Sequence, residues 1–186
     1  MGKVKTRLAA DIGERAAFEI NNFLLKHTAA VTKDLPVVKE VHYSEEIGED
    51  DFWEEEFFQK KNQHGEDLGE RMKNAFEAGF RNGYKNIIII GSDLYDLCKE
   101  DLENAFQQLK DHQYVIGPAE DGGYYLLGMK AMNREIFQNK SWGSSTVFQE
   151  TIKDLNGKKI AFLEYRNDID VYEDIKNNKD FQQFLQ

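Results

Sequence analysis

The apolar positions of this chain follow two different periods. Ile20, Phe23, Leu24 and His27 are spaced i, i+3, i+4, i+7, as are Leu102, Ala105, Phe106 and Leu109. That spacing predicts helices with one buried stripe. Leu68, Met72, Ala75, Phe76, Gly79 and Phe80 line a third stripe, and Phe181, Phe184 and Leu185 a short last one. His27 lies on such a stripe, which reads as a core-edge histidine rather than a ligand. Between the helices lie apolar runs of strand length: Val37–Tyr43, Asn86–Gly91, Tyr114–Pro118, Tyr124–Gly128 and Ile160–Tyr165. The run of four isoleucines before Gly91 has the pattern of a parallel strand covered on both faces. Strands alternating with helices predict a single α/β domain over residues 1–186, a three-layer α/β/α sandwich with a mostly parallel sheet. Ligands bind such sheets beyond the carboxyl ends of the strands. The loops that follow the strands are therefore where chemistry is expected.

Composition narrows the classes. The 186 residues are 40% apolar and 31% charged, with 13 Phe and 8 Tyr, a globular balance. The formal net charge of −10 repels phosphate backbones and anionic lipid, so no nucleic-acid partner is expected. Cys98 is the lone cysteine, which fits a reducing cytoplasm. No apolar run approaches the ~20 residues needed to cross a bilayer. The segment Glu45–Glu56 is acidic at eight of twelve positions and reads as a solvated loop pinned by Phe52 and Trp53.

Five loops carry candidate chemistry. In an extended N-terminal segment Lys3, Lys5 and Arg7 would project from one side, a phosphate cradle or simply a charged terminus. Asp93 follows the isoleucine strand in Gly91-Ser92-Asp93, a position for a metal ligand or a turn aspartate. Asp168 and Asp170, spaced i, i+2 after the last strand, can converge on a hard cation, and Asp170 can also cap a helix starting near Val171. Asp121-Gly122-Gly123 sits between two apolar runs and serves either as a hairpin turn or as bare backbone against a substrate. Trp142 through Thr146 leads into a helix, with hydroxyls placed to cap it or to contact an acceptor.

Taken in order, Lys3–Ala9, Glu66–Met72, Ile90–Asp93, Gly117–Leu126, Trp142–Thr146 and Asp168–Asp170 resemble one family along nearly the whole chain. It is the bacterial glycosyltransferase-A-like family, the radical-SAM/selenodomain-associated transferases. That family is similar in fold to nucleotide-diphospho-sugar transferases, which are Rossmann-like, and to molybdenum-cofactor and phospholactate guanylyltransferases. The resemblance implies a metal-dependent transferase using a nucleotide-diphosphate sugar or a nucleoside triphosphate, with Mg²⁺ or Mn²⁺. It implies that Lys3, Lys5 and Arg7 hold the donor diphosphate, with Asp67, Gly69 and Gly91 near the nucleotide. Asp93, Asp168 and Asp170 would hold the metal, with Asp93 catalytic, and Asp121, Gly122, Gly123 and Trp142 would face sugar or acceptor. Two departures stand out. Tyr95 occupies a position where the family usually has proline, and the family's usual first strand has no counterpart before Gly2-Lys3-Val4-Lys5. Its absence would leave neighbouring strands with unpaired backbone groups and an open cleft. The alternative expectation is a non-catalytic nucleotide or metabolite binder derived from such enzymes.

Overall fold

The computed structural model describes residues 4–49 and 51–185. Six helices and six strands are described among them. The order is α1 (Thr6–Ile12), α2 (Glu14–Lys33), β1 (Glu40–Tyr43), β2 (Gln59–Asn62), α3 (Leu68–Arg81), β3 (Ile87–Ile90), α4 (Lys99–Asp111), β4 (Tyr114–Pro118), β5 (Tyr124–Met129), α5 (Val147–Asp154), β6 (Ile160–Phe162) and α6 (Tyr172–Ile175). The last predicted helix is a 3₁₀ segment, Lys179–Phe184. The helical stripe on α3 begins at Met72, because Leu68 is 54% exposed in the first turn.

The larger sheet has the order β3-β5-β4-β6. β3, β4 and β6 run in one direction, and β5 runs against both of its neighbours. The isoleucine strand is therefore hydrogen-bonded to an antiparallel partner, which corrects the expectation of a parallel one. Its unbroken apolar pattern arises instead from coverage on both faces. Ile88 and Ile90 pack with Leu35, Leu102, Ala105 and Leu109, whereas Ile87 and Ile89 pack with Met72, Phe76 and Phe137. Helices cover the sheet on both sides, giving the three-layer sandwich.

β1 and β2 form a separate parallel pair. β2, Gln-Lys-Lys-Asn, is polar and mostly exposed, so no apolar alternation announced it. A third cluster, with Leu8, Ala17, Ile20, Ile169, Ile175 and Phe181, ties α1 and α2 to the C-terminal segment. His27 sits at the core edge as expected, its Nε2 3.0 Å from the Leu97 carbonyl and its ring against Tyr95. No described helix is long and apolar enough to cross a membrane.

Candidate functional site

Four carboxylates gather where the loops after β3, β4 and β6 meet. Ile169 is the anchor. Its side chain is buried with Leu8 and Ile20, and its backbone N–H donates to the Asp93 carbonyl at 3.1 Å. With Ile169 held inward, Asp168 and Asp170 are set beside the β3 loop. Gly91 helps place Asp93, because a Cβ there would stand 2.9 Å from the Asp93 Oδ1.

Asp168 is the most perturbed group of the set. Burial, followed by the negative charges of Asp93 and Asp121, raises its carboxyl to about 7, with Lys5 acting in the opposite direction. Its Oδ1 is buried and has no hydrogen-bond partner among the described residues. A buried acceptor in that state costs about 1–3 kcal/mol.

Two cations face these acids. Lys5 Nζ donates to Asp93 Oδ2 at 3.0 Å, with the lysine side chain 7% exposed. Arg7 Nη1 donates to Asp170 Oδ2 at 2.6 Å from an exposed position, and this bond holds the guanidinium still more firmly charged. The geometry corrects the extended-segment reading. Lys5 occupies the left-handed region at φ 49° and precedes α1, and Arg7 lies inside its first turn. A lysine in that region carries a backbone cost of about 1 kcal/mol or more, which its buried ion pair offsets. Lys3 lies outside the described residues.

Asp170 is not the cap of α6. The Asp174 carboxylate accepts from both Asp170 N and Val171 N at 2.7 Å, leaving the Asp170 carboxylate for Arg7. Asp67 does cap its helix, accepting from Glu70 N at 2.8 Å at the start of α3. A Cβ on Gly69 would stand 2.2 Å from the Trp142 ring, so the start of α3 rests on that indole. Trp142 thus packs as structure as well as lining the loop.

Asp121 closes its own turn by accepting from Gly123 N at 2.8 Å, and its charge still reaches Asp168 and Arg7. Gly122 has φ +91°, and a Cβ there would meet the Ser145 carbonyl oxygen at 2.1 Å. Its own carbonyl accepts from Phe148 N at 3.0 Å, so the β4–β5 loop is locked to the start of α5. Gly122→Ala should therefore destabilise by about 2 kcal/mol through strain at positive φ. Urea unfolding measures this, and a neutral result would mean the two loops are not in contact.

Arg166, which sequence reasoning missed, braces the loops around these acids. Its Nη2 donates to both oxygens of Asp101 at 2.8 and 2.7 Å, and its Nη1 donates to the Asp96 carbonyl at 2.7 Å. Its backbone pairs with the β4–β5 loop, through Arg166 N to Pro118 O and Glu120 N to Arg166 O. One residue thus ties together the three loops that carry Asp93, Asp121 and Asp168. Asp101 lies 65 positions away, so no local signal could have shown the pair.

Among the described residues no three His, Cys, Asp or Glu side chains stand ready to enclose an ion. Asp93 and Asp170 are instead turned toward cations. The chemistry of the set nevertheless fits a hard divalent ion: oxygen ligands only, a net negative charge, and one buried oxygen without a partner. Two open surface hollows lie elsewhere, about 340 Å³ beside Lys140 and Glu150 and about 210 Å³ beside Val37 and Phe106. Neither includes a member of the acid cluster, so charge rather than concavity marks this site.

Known proteins can be set against this geometry. A crystal structure of a proposed nucleotide-diphospho-sugar transferase from Desulfovibrio desulfuricans G20 superposes with a TM-score of 0.84 at 29% identity, covering 96% of this chain and 84% of that one. The Mycobacterium sp. strain JC1 homolog of Mycobacterium tuberculosis rv0371c is far more distant, with a TM-score of 0.49 and 11% identity over 87% of this chain and 82% of that one. A search of curated proteins finds no match. The fold is thus that of the Desulfovibrio protein. Residues 26–144 match a family model described as an uncharacterized protein conserved in bacteria, DUF2064, and the chain belongs to that family.

Proposed function

We propose that this chain is a metal-dependent transferase whose donor is a nucleotide-diphosphate sugar or a nucleoside triphosphate. The supporting observation is the buried Asp168 Oδ1, without a hydrogen-bond partner among the described residues, in a four-acid cluster faced by Lys5 and Arg7. The likeness to the Desulfovibrio protein, by its name a nucleotide-sugar enzyme, adds to it. Asp93, Asp168 and Asp170 would hold Mg²⁺ or Mn²⁺, which when bound neutralises diphosphate charge as a Lewis acid. Lys5 and Arg7 would exchange their carboxylate partners for diphosphate oxygens and stabilise charge on the leaving group. Asp67, Gly69 and Gly91 would lie toward the nucleotide. Gly122, Gly123 and Trp142 would border the acceptor. In glycosyl transfer the acceptor oxygen bonds to the anomeric carbon as the nucleoside diphosphate leaves. In nucleotidyl transfer it bonds to the α-phosphorus as pyrophosphate leaves.

Arg7 gives the cleaner test of the two cations, because Lys5 is buried and its removal should also disturb stability. An exposed pair such as Arg7–Asp170 contributes little to folding. A charge-assisted hydrogen bond to diphosphate contributes roughly 1.5–3 kcal/mol, or about ten- to a hundred-fold in affinity. Arg7→Ala should therefore weaken binding of UDP-glucose or GTP by that factor in the presence of Mn²⁺, and leave the melting temperature nearly unchanged. Calorimetric titration of a panel of nucleotides and nucleotide sugars, with and without metal, reads this directly. Equal affinities for wild type and variant would remove the donor site.

The closed ion pairs favour a second reading, a non-catalytic nucleotide or metabolite binder. Acids already neutralised by Lys5 and Arg7 need no metal in the resting protein. Incubation with radiolabelled donor separates the two: a binder retains it intact, and a transferase releases nucleotide or pyrophosphate.

A further inference from the structure

The sheets guard their edges differently. β2, at an edge of the smaller sheet, reads Gln-Lys-Lys-Asn, and its charges discourage a further strand. β6, at an edge of the larger sheet, is Ile160-Ala161-Phe162, without a charge. An uncharged edge strand is a template for pairing unless something covers it. Here the cover is thin: Phe162 is 54% exposed, and Tyr165, three residues on, is 62% exposed. Both rings stand nearly perpendicular to Phe148 of α5, with centroids 6.2 Å from it, and the rest of each ring is open to solvent.

The hydrogen-bond phase shows which main-chain groups of β6 are free. Tyr114 N donates to Lys159 O at 3.3 Å, and Leu163 N donates to Ile116 O at 2.9 Å. Lys159, Ala161 and Leu163 therefore bond to β4, while Ile160 and Phe162 turn their N–H and C=O groups outward. Among the described residues none of these four groups has a main-chain partner. The free edge is bounded at both ends. Lys158 N already donates to Leu155 O at 2.9 Å, and Glu164 O already accepts from the Tyr125 hydroxyl at 3.2 Å.

Those bounds select one partner and one register. In an antiparallel pair, two residues that exchange both bonds must both point outward. A two-fold axis beside Ala161 sets Ile160 of each copy opposite Phe162 of the other and satisfies all four outward groups. An axis at Ile160 or at Phe162 would call on Lys158 N or Glu164 O, which are taken. The same register brings Lys158 level with Glu164 of the second copy at both ends, an opposite-charge match that a shifted pairing loses. We infer that β6 is a self-complementary interface through which two copies of this chain join their larger sheets into one continuous sheet, antiparallel across a two-fold axis. The inference rests on the β6 edge and is independent of the transferase reading.

Sedimentation equilibrium of the 186-residue protein should show a monomer–dimer equilibrium. Lys158 and Glu164 are exposed, so charge changes there leave the core alone. Lys158→Glu and Glu164→Lys should each weaken dimerisation about ten-fold, because each turns two opposite-charge matches into like-charge ones. The double variant restores both matches and should return to within about three-fold of wild type. Phe162→Glu puts a charge on the strand itself and should weaken association more than either single change. Amide hydrogen exchange adds the position: Ile160 and Phe162 should exchange more slowly as protein concentration rises. A monomer at every concentration up to about 1 mM overturns the inference. So does a dimer that the single variants leave unchanged, that the double variant fails to restore, or that forms without slowing exchange at Ile160 and Phe162, because the copies would then meet elsewhere.

Discussion

Replacing Arg166 by Met should cost about 3 kcal/mol of stability, the low end of what breaking a buried ion pair costs. For a chain of this size that lowers the melting temperature by roughly 6–12 °C. The guanidinium side chain is 15% exposed and pairs with Asp101 and Asp96. Burial pulls its pKa down, yet the two aspartates hold it more firmly charged than an ordinary arginine. Methionine preserves most of the packing and leaves Asp101 without its cation, although Asp101 still accepts from the Cys98 N–H and Sγ. Arg166→Lys should recover little, because one ammonium cannot reach Asp101 and the Asp96 carbonyl together as Nη2 and Nη1 of the guanidinium do. The double variant with Asp101→Asn should lose much less than the sum of the two single losses. Additive losses would show that the pair is not coupled and that Arg166 does not brace the three site loops.

The fold was largely legible because burial sets the apolar pattern and the pattern was regular. The stripes on α2 and α4 and the runs at β3, β4, β5 and β6 all lie where the two periods placed them. Pattern failed where it reports burial rather than pairing. The four isoleucines of β3 declare two covered faces, and that is true whether the neighbouring strand runs parallel or antiparallel. β2 failed for the opposite reason: an exposed edge strand has no buried face to write into the sequence.

The candidate site was legible as a set of acids at strand ends and illegible in its pairings. The charges of Asp93 and Asp170 reach Asp168 although 75 residues separate Asp93 from it, but among the described residues no three acids stand ready to enclose an ion. The exchange of partners between Lys5, Arg7 and these acids depends on a left-handed turn at Lys5 that no local residue preference announces. A cap was the alternative to a metal ligand for Asp170, which stands just before a helix, but Asp174, reaching back from inside the helix, satisfies those backbone donors instead.

Asp168 should make the stability of the metal-free protein fall as pH rises from about 4 to about 7. The folded state keeps its proton up to about 7, whereas the unfolded chain releases it near 3.8. Between those values the folded state binds more protons than the unfolded one, so each step up in pH favours unfolding. Asp168→Asn removes this dependence. The variant should be more stable than wild type at pH 8, by on the order of 3 kcal/mol after allowing for the group's partial exposure. The two proteins should converge below pH 3.8. Divalent cation should offset most of that difference, because a carboxylate must lose its proton to become a ligand. Wild type at pH 8 should gain roughly 2.7 kcal/mol from Mn²⁺ at a hundred times its dissociation constant, and the asparagine variant little. Thermal unfolding at pH 4, 6 and 8, with and without Mn²⁺, contains every comparison. An unchanged pH profile would place Asp168 in water rather than in a buried cluster, and equal Mn²⁺ stabilisation of both proteins would remove it from the metal site.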